Sequence, residues 1–381
     1  MPPADKKIIT MTSQDPYADI RPYNDEEVPA VVEGLLHNEE LLNAIAKYKF
    51  PTLSRFFGFA LRPLVRMVIA KEVKDVKDIT SWQYVVSKYM HRMVNTSVNN
   101  LTFSGLDNLD SDKAYLFISN HRDIAMDPAL VSWGLFTNGH ETVRIALGDN
   151  LLKKPYVSDI MRLNKSFIVK RSATGVRQKM KAYMDLSSYI DESVHTGHNI
   201  WIAQREGRAK NGIDASDPAV MKMLYMCKKK SGQSYHDYVD SLHIVPVSIA
   251  YQYDPCDVAK ATELAALEQD GSYTKGEFED ISSIVKGIMG DKGNVHVAFG
   301  KPLFGGVDSP EDLVAWLDAS IAKNYQVHDT NAAAVAMQQG DSHVAAYKLE
   351  ARMAGLNEAQ RQQMIAMYAN PLKRQQALQE D

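Results

Sequence analysis

The stretch AYLFISNHRDIAMDPAL, residues 114–130, sets a histidine at the end of an apolar run and two aspartates within six residues of it. An imidazole titrates near neutrality and can take a proton from a hydroxyl. A carboxylate on its other nitrogen fixes the tautomer and steadies the imidazolium that forms. On one continuous helix, His121 and Asp127 would point well apart. YLFIS reads instead as a buried strand, and Asp127-Pro128 as a helix start with Asp at the cap and Pro in the first position. Residues 122–126 then form a loop, which lets the carboxylate swing towards the ring. Spacing alone favours a plainer reading, in which Asp127 only caps its helix and His121 is a half-buried loop residue. A kinase HRD loop is excluded: Pro128 stands where its Asn is required, and the Gly-rich loop, strand lysine and DFG are absent.

The elements that must position this pair follow from hydropathy. Short β-rich runs, YLFIS, VRIAL, SFIVK, NIWIA, HIVPVSIAY and NVHVAF, lie between residues 115 and 299, and helical patterns separate most of them. That alternation predicts an α/β fold with a mostly parallel central sheet flanked by helices. The C-terminal end of such a sheet is where ligands bind, and Asn120-His121 falls there. Residues 31–99 show apolar positions at three- and four-residue intervals and form an N-terminal helical cap. The expected divisions are a polar arm over 1–30, the cap over 31–99, the α/β domain over 100–306 and a C-terminal helical tail over 307–381. The tail pattern suits packing, dimerisation or lipid contact equally.

The 381 residues carry a formal net charge of -4, which argues against a general nucleic-acid partner. Two cysteines build neither a disulfide framework nor a thiolate metal site, and suit a reducing compartment. The N-terminus lacks the plan of a signal peptide, and no apolar run is long enough to cross a bilayer. A cytoplasmic protein, free or lying on a membrane surface, is expected. No histidine spacing calls for a metal, and His195 and His198 read as surface residues.

With these residues in view, the chain resembles the glycerolipid acyltransferase family over roughly Leu101 to Phe304. SNHRDIAMDPAL is similar to the family's histidine–aspartate block, SFIVKRS to its strand ending in arginine, REGRAKNG to its acidic–glycine–arginine block, and IVPVSIAY to its proline-bearing strand. VHVAFGKPL resembles the closing strand. Two departures stand out. Five residues, rather than the usual four, separate His121 from Asp127, so Asp123 competes for the partner role. Glu206-Gly207 run straight into Arg208, where the family has one residue between Gly and Arg.

The resemblance implies transfer of an acyl group from a thioester, on coenzyme A or acyl carrier protein, to a glycerol hydroxyl, with no further cofactor. His121 is then the general base and Asp127 orients it. The absence of a Gly-x-Ser-x-Gly elbow agrees with direct transfer. The favoured acceptor is 1-acylglycerol 3-phosphate; glycerol 3-phosphate, another lyso-lipid, or a catalytically silent lipid-binding role are the alternatives. Residues 153–181 hold nine lysines or arginines against one acid, Asp159. Arg171, with Lys170 beside it, and Arg208 follow strands within matching blocks and are expected to grip phosphate through the planar guanidinium fork. Gly207 lets the backbone approach the ligand. Glu206 either pairs with Arg208 or binds the acceptor glycerol, and Pro246 shapes the pocket wall. Lys153, Lys154, Arg162, Arg177 and Lys179 are solvated or meet lipid headgroups. In RFFGFALRPLVRMVIA, Arg55, Arg62 and Arg66 form one helical stripe among Phe56, Phe57, Phe59 and aliphatic neighbours, as at a membrane interface, although Pro63 argues against one straight helix.

Overall fold

Seven strands supply the frame: β1 (Asn100–Ser104), β2 (Leu116–Ser119), β3 (Arg144–Gly148), β4 (Ser166–Val169), β5 (Ile200–Ala203), β6 (Ile244–Tyr251) and β7 (Asn294–Phe299). This computed structural model describes residues 15–276 and 278–380, with the side chains of residues 51, 54, 56–58 and 380 outside that description. The helices, in chain order, are α1 (Val28–His37), α2 (Glu39–Lys49), α3 (Pro51–Val73), α4 (Ile79–Ser97), α5 (Met126–Thr137), α6 (Pro155–Leu163), α7 (Val176–His195), α8 (Pro218–Leu224), α9 (Tyr235–Ser241), α10 (Asp257–Asp270), α11 (Glu279–Met289), α12 (Pro310–Lys323), α13 (Asp329–Gln339), α14 (Ala346–Arg352) and α15 (Glu358–Glu380).

The strand order is β1-β7-β6-β2-β5-β3-β4. β6, β2, β5, β3 and β4 run parallel, and β7 pairs antiparallel with β6 while lying parallel to β1. The α/β, mostly parallel sheet expected from the pattern is present. The central strands are apolar at successive positions because both sheet faces are covered. Leu116 and Ile118 point into one core with Ile200, Ile202 and Ile244, closed by α7, α8, α9 and α12. Phe117 points the opposite way, with Trp201, Val245 and Val247, into a core closed by α4, α5 and β7. Parallel strands put the C-terminal ends of β2, β4, β5 and β6 on one edge of the sheet.

Several details differ from the sequence reading. β1, an edge strand with alternating burial, was hidden in the polar NLTFS. Described residues of the arm are ordered: Ile20 is buried, its carbonyl accepts from Ile168 N, and Arg162 donates to Arg21 O and Ala18 O and stacks over Tyr23. Arg162 is thus a clasp for the arm. α3 continues through Pro63 without a break, so that proline does not divide it. Pro246 lies buried inside β6, opposite Ile118, and packs on Gly300. It is a core residue, away from the cleft described below. The tail is packing: α13, α14 and α15 build their own core with Ala261 of α10. Among the described residues no helix is long and apolar enough to cross a membrane.

Candidate active site

His121 follows β2 by two residues, in a loop pinned from several directions. Asn120, buried, donates to Ile249 O (3.0 Å) and accepts from Ile249 N (2.8 Å), so its side chain imitates a strand partner of β6. His121 O accepts from Ala209 N at 2.7 Å, which ties the loop after β5 to the loop after β2. Buried Arg122 forks onto Asp214 (3.1 and 2.7 Å), and the Lys260 ammonium donates to Arg122 O at 2.7 Å. Lys260 also pairs with Asp254. These are charge-assisted bonds in a dry interior, the kind that fix a loop in one shape.

Asp127, fully buried, is the partner of the histidine. Its Oδ2 lies 2.8 Å from His121 Nδ1 and accepts from Arg122 N (2.6 Å) and Asp123 N (2.9 Å). Its Oδ1 accepts from Tyr251 Oη at 2.8 Å. All of these donors suit a carboxylate. Bonding through Nδ1 makes Nε2 the nitrogen that can meet a substrate. The Trp201 ring lies edge-on to the imidazole, centroids 5.8 Å apart, and limits its rotation.

The extra residue between His121 and Asp127 is absorbed by Asp123. The expected cap at Asp127 is corrected: α5 starts at Met126, so Asp127 and Pro128 are its second and third residues. Asp123 Oδ1 accepts from Ala125 N (2.9 Å) and Met126 N (2.8 Å), satisfying the loose N–H groups at the helix start. Asp123 ties down the loop at the helix start and Asp127 faces the ring. Burial, reinforced by the nearby Asp127 charge, pushes the Asp123 carboxyl above its usual range. Burial and Asp127 also raise the Tyr251 phenol well above its ordinary value, so it stays a proton donor. Tyr251 escaped the sequence reading as a site residue: it ends the fourth block, but its partner is 124 positions away.

His121 opens into a cleft of about 1750 Å³ over the C-terminal edge of the sheet. Its walls are largely apolar, including Ile124, Met161, Val169, Met180 and Met223, and Lys170, Arg171, Glu206, Gly207 and Arg208 line it too. The structure therefore brings His121, Arg171 and Arg208 to one cavity. Arg208 Nη2 makes a long bond to Ser283 Oγ (3.5 Å), while its Nη1 is buried without a partner among the described residues. A buried guanidinium N–H lacking an acceptor is costly and suits an anionic ligand. Gly207 has φ +77°, a left-handed conformation that favours glycine. Glu206 pairs with Arg171 (3.5 Å), a partner outside the two roles expected for it, the ion pair with Arg208 and the acceptor glycerol. The Lys170 ammonium is taken by Asp19 of the arm. Lys154 pairs with Glu40, while Lys179 lines the cleft. His198 bonds Glu141 at the exposed surface. Among the described residues no cluster of three His, Cys, Asp or Glu is placed to hold a metal.

On α3, Arg55, Phe59 and Arg66 are exposed, whereas Arg62 is tied to α2 through Glu39 (2.7 Å) and Asn43 (2.8 Å). The side chains of Phe56 and Phe57 lie outside the described residues.

No curated protein matches the chain significantly. A solved structure, the 1-acyl-sn-glycerophosphate (LPA) acyltransferase PlsC from Thermotoga maritima, is similar at 16% identity with a TM-score of 0.38, over 74% of this chain and 92% of that one. Residues 100–250 match the family model described as Acyltransferase, a span that runs from the start of β1 into β6 and holds His121, Asp127, Arg171 and Arg208. Over that span the chain is similar to the family described as Acyltransferase, in line with the glycerolipid members its motifs resemble.

Proposed function

We propose that this protein is an O-acyltransferase that moves a fatty acyl group from an acyl thioester to the free hydroxyl of 1-acylglycerol 3-phosphate. The observation that carries the reading is the His121–Asp127 pair, 2.8 Å apart, at the mouth of a large apolar cleft. His121 Nε2 takes the hydroxyl proton as the alcohol oxygen attacks the thioester carbonyl carbon. The tetrahedral adduct collapses, the C–S bond breaks, and the leaving thiolate takes the proton back from the imidazolium. The buried Asp127 carboxylate offsets the imidazolium charge between the two proton transfers. Arg208, whose Nη1 has no partner among the described residues, and Arg171 hold the acceptor phosphate, and Gly207 lets the backbone approach it. Lys170 and Glu206 act at one remove, through Asp19 and Arg171. The apolar walls suit the acyl chain of the donor, whether carried by coenzyme A or by acyl carrier protein. No cofactor beyond the thioester enters the scheme.

The acceptor is a lipid, so the protein works as a peripheral membrane protein at the cytoplasmic face, with Arg55, Phe59 and Arg66 of α3 towards the headgroups and Arg62 bracing that helix. Labelled acyl-CoA offered with 1-acylglycerol 3-phosphate, glycerol 3-phosphate or a lyso-aminolipid tests the reading. Phosphatidic acid is the expected product, and His121→Ala should lower turnover at least ~10²-fold, the scale of a lost general base. A wild type that binds lipid but consumes no thioester would leave a silent lipid-binding protein instead.

A further inference from the structure

α11 has two faces of opposite character. Its inner positions, Ser283 and Gly287, are buried. Gly287 packs directly on Asp123, and Ser283 meets the Arg208 guanidinium through Oγ and Cys256 Sγ through its carbonyl. The helix thus roofs the loops that carry the histidine and the arginine, and Ile284 with Asp280 lines the cleft itself.

The outer face is apolar and open. Phe278 is 65% exposed, Ile281 51%, Val285 49% and Met289 58%, with Ile288 beside them. Spacings of four residues place Ile281, Val285 and Met289 on one stripe. The exposed polar residues within the helix are Ser282 and Lys286. A contact from Tyr48 Oη to Met289 Sδ (3.3 Å) sets the C-terminal end of α11 against the turn from α2 to α3. From that turn onward α3 exposes Leu53, Phe59, Leu64 and Met67 along its length. From Lys47 to Lys71 the chain carries six cations and no acid, of which Arg62 is paired with Glu39 of α2.

Two open apolar helix faces, adjoining at a cationic segment, match an anionic lipid bilayer. A second copy of the chain is a poor occupant, because self-pairing would bring two such cationic segments together. We propose that α11 is the membrane-facing wall of the active site, so that the cleft mouth beneath it is presented to the lipid surface while its inner face holds Asp123 and Arg208 in place. The inference extends the lipid-acceptor reading above to a second contact element, distinct from α3.

The test uses the full-length chain carrying His121→Ala, without any acyl donor, so its outcome is independent of whether the proposed reaction occurs. Co-sedimentation is measured with vesicles of phosphatidylcholine alone and of equal parts phosphatidylglycerol and phosphatidylcholine. The parent should bind the anionic vesicles, and adding Ile281→Glu with Val285→Glu should weaken that binding at least ~10-fold, as two apolar side chains are withheld from lipid. Both side chains are exposed, so thermal unfolding should not change. With His121 intact, the double variant should keep turnover on a monomeric short-chain acceptor and lose it on a vesicle-embedded one. Unchanged vesicle binding by the double variant overturns the proposal. So does a vesicle-free dimer that the same substitutions dissociate.

Discussion

Asp127→Asn isolates what the carboxylate does for His121. Three N–H donors converge on Oδ2, from His121, Arg122 and Asp123. The amide oxygen of Asn must occupy that position, because an NH2 group there would oppose all three. Nδ2 then faces Tyr251, whose hydroxyl can rotate to accept. The imidazole keeps its tautomer and loses only the negative charge beside the imidazolium. At ~4 Å between charge centres and an effective dielectric of ~20 the attraction is about 4 kcal/mol. Allowing for the hydrogen bond that survives, kcat should fall ~10²–10³-fold. A forced wrong tautomer would cost more, ~10⁴-fold. Asp123→Asn keeps an oxygen for Ala125 N and Met126 N and should cost less than ~10-fold. Steady-state thiol release from acyl-CoA with the lyso-lipid acceptor measures both, with thermal unfolding as the check on folding. A more damaging Asp123→Asn, or an Asp127→Asn within tenfold of wild type, would refute the assignment of Asp127 as the histidine's partner.

Three other outcomes follow from the packing around the pair. Tyr251→Phe removes one hydrogen bond to a buried charge, a loss of ~1.5–3 kcal/mol, and should lower kcat roughly tenfold or more with acceptor KM little changed. Gly287→Ala would put a Cβ 2.7 Å from Asp123 Cγ, so the loop must shift; overpacking should cost ~1–3 kcal/mol by denaturant unfolding and lower turnover with it. The Lys292 ammonium is buried between Ser97 Oγ and the carbonyls of Ile288 and Gly290, and burial brings its pKa down to about 8 from 10.5. Between those values the unfolded chain holds a proton that the folded one has released, so wild-type stability should rise with pH relative to Lys292→Met, by at most ~1.4 kcal/mol per unit. A flat difference across that window would mean that the ammonium stays charged in the fold.

The parallel sheet was readable because buried strands are written as unbroken apolar runs, and their C-terminal ends located His121, Arg171 and Arg208. β1 was not readable, since an edge strand with one wet face needs few apolar residues. The histidine–aspartate pair could be picked out, but choosing between Asp123 and Asp127 required the backbone: three N–H groups converging on one oxygen leave no trace in spacing. The Glu206–Arg171 pair was not readable, because it forms only where folding brings the loops after β4 and β5 together. Tyr251 and Lys260 act on the loop from 124 and 138 positions away, a distance at which composition says nothing about contact.

The division at residue 306 marks a change of hydropathy pattern and not a seam in the molecule. Tyr325 lies against the Arg122 guanidinium, Tyr368 donates to Asp257 and accepts from Asp254 N, and Arg352 pairs with Asp257. Cutting the chain at that point would strip the Asp257 carboxylate of Arg352 and Tyr368, on the segment that steadies the proton acceptor. The last three helices are therefore a brace for the chemistry, and an excised core should be tested for a slack histidine loop before its lost activity is blamed on a missing substrate contact.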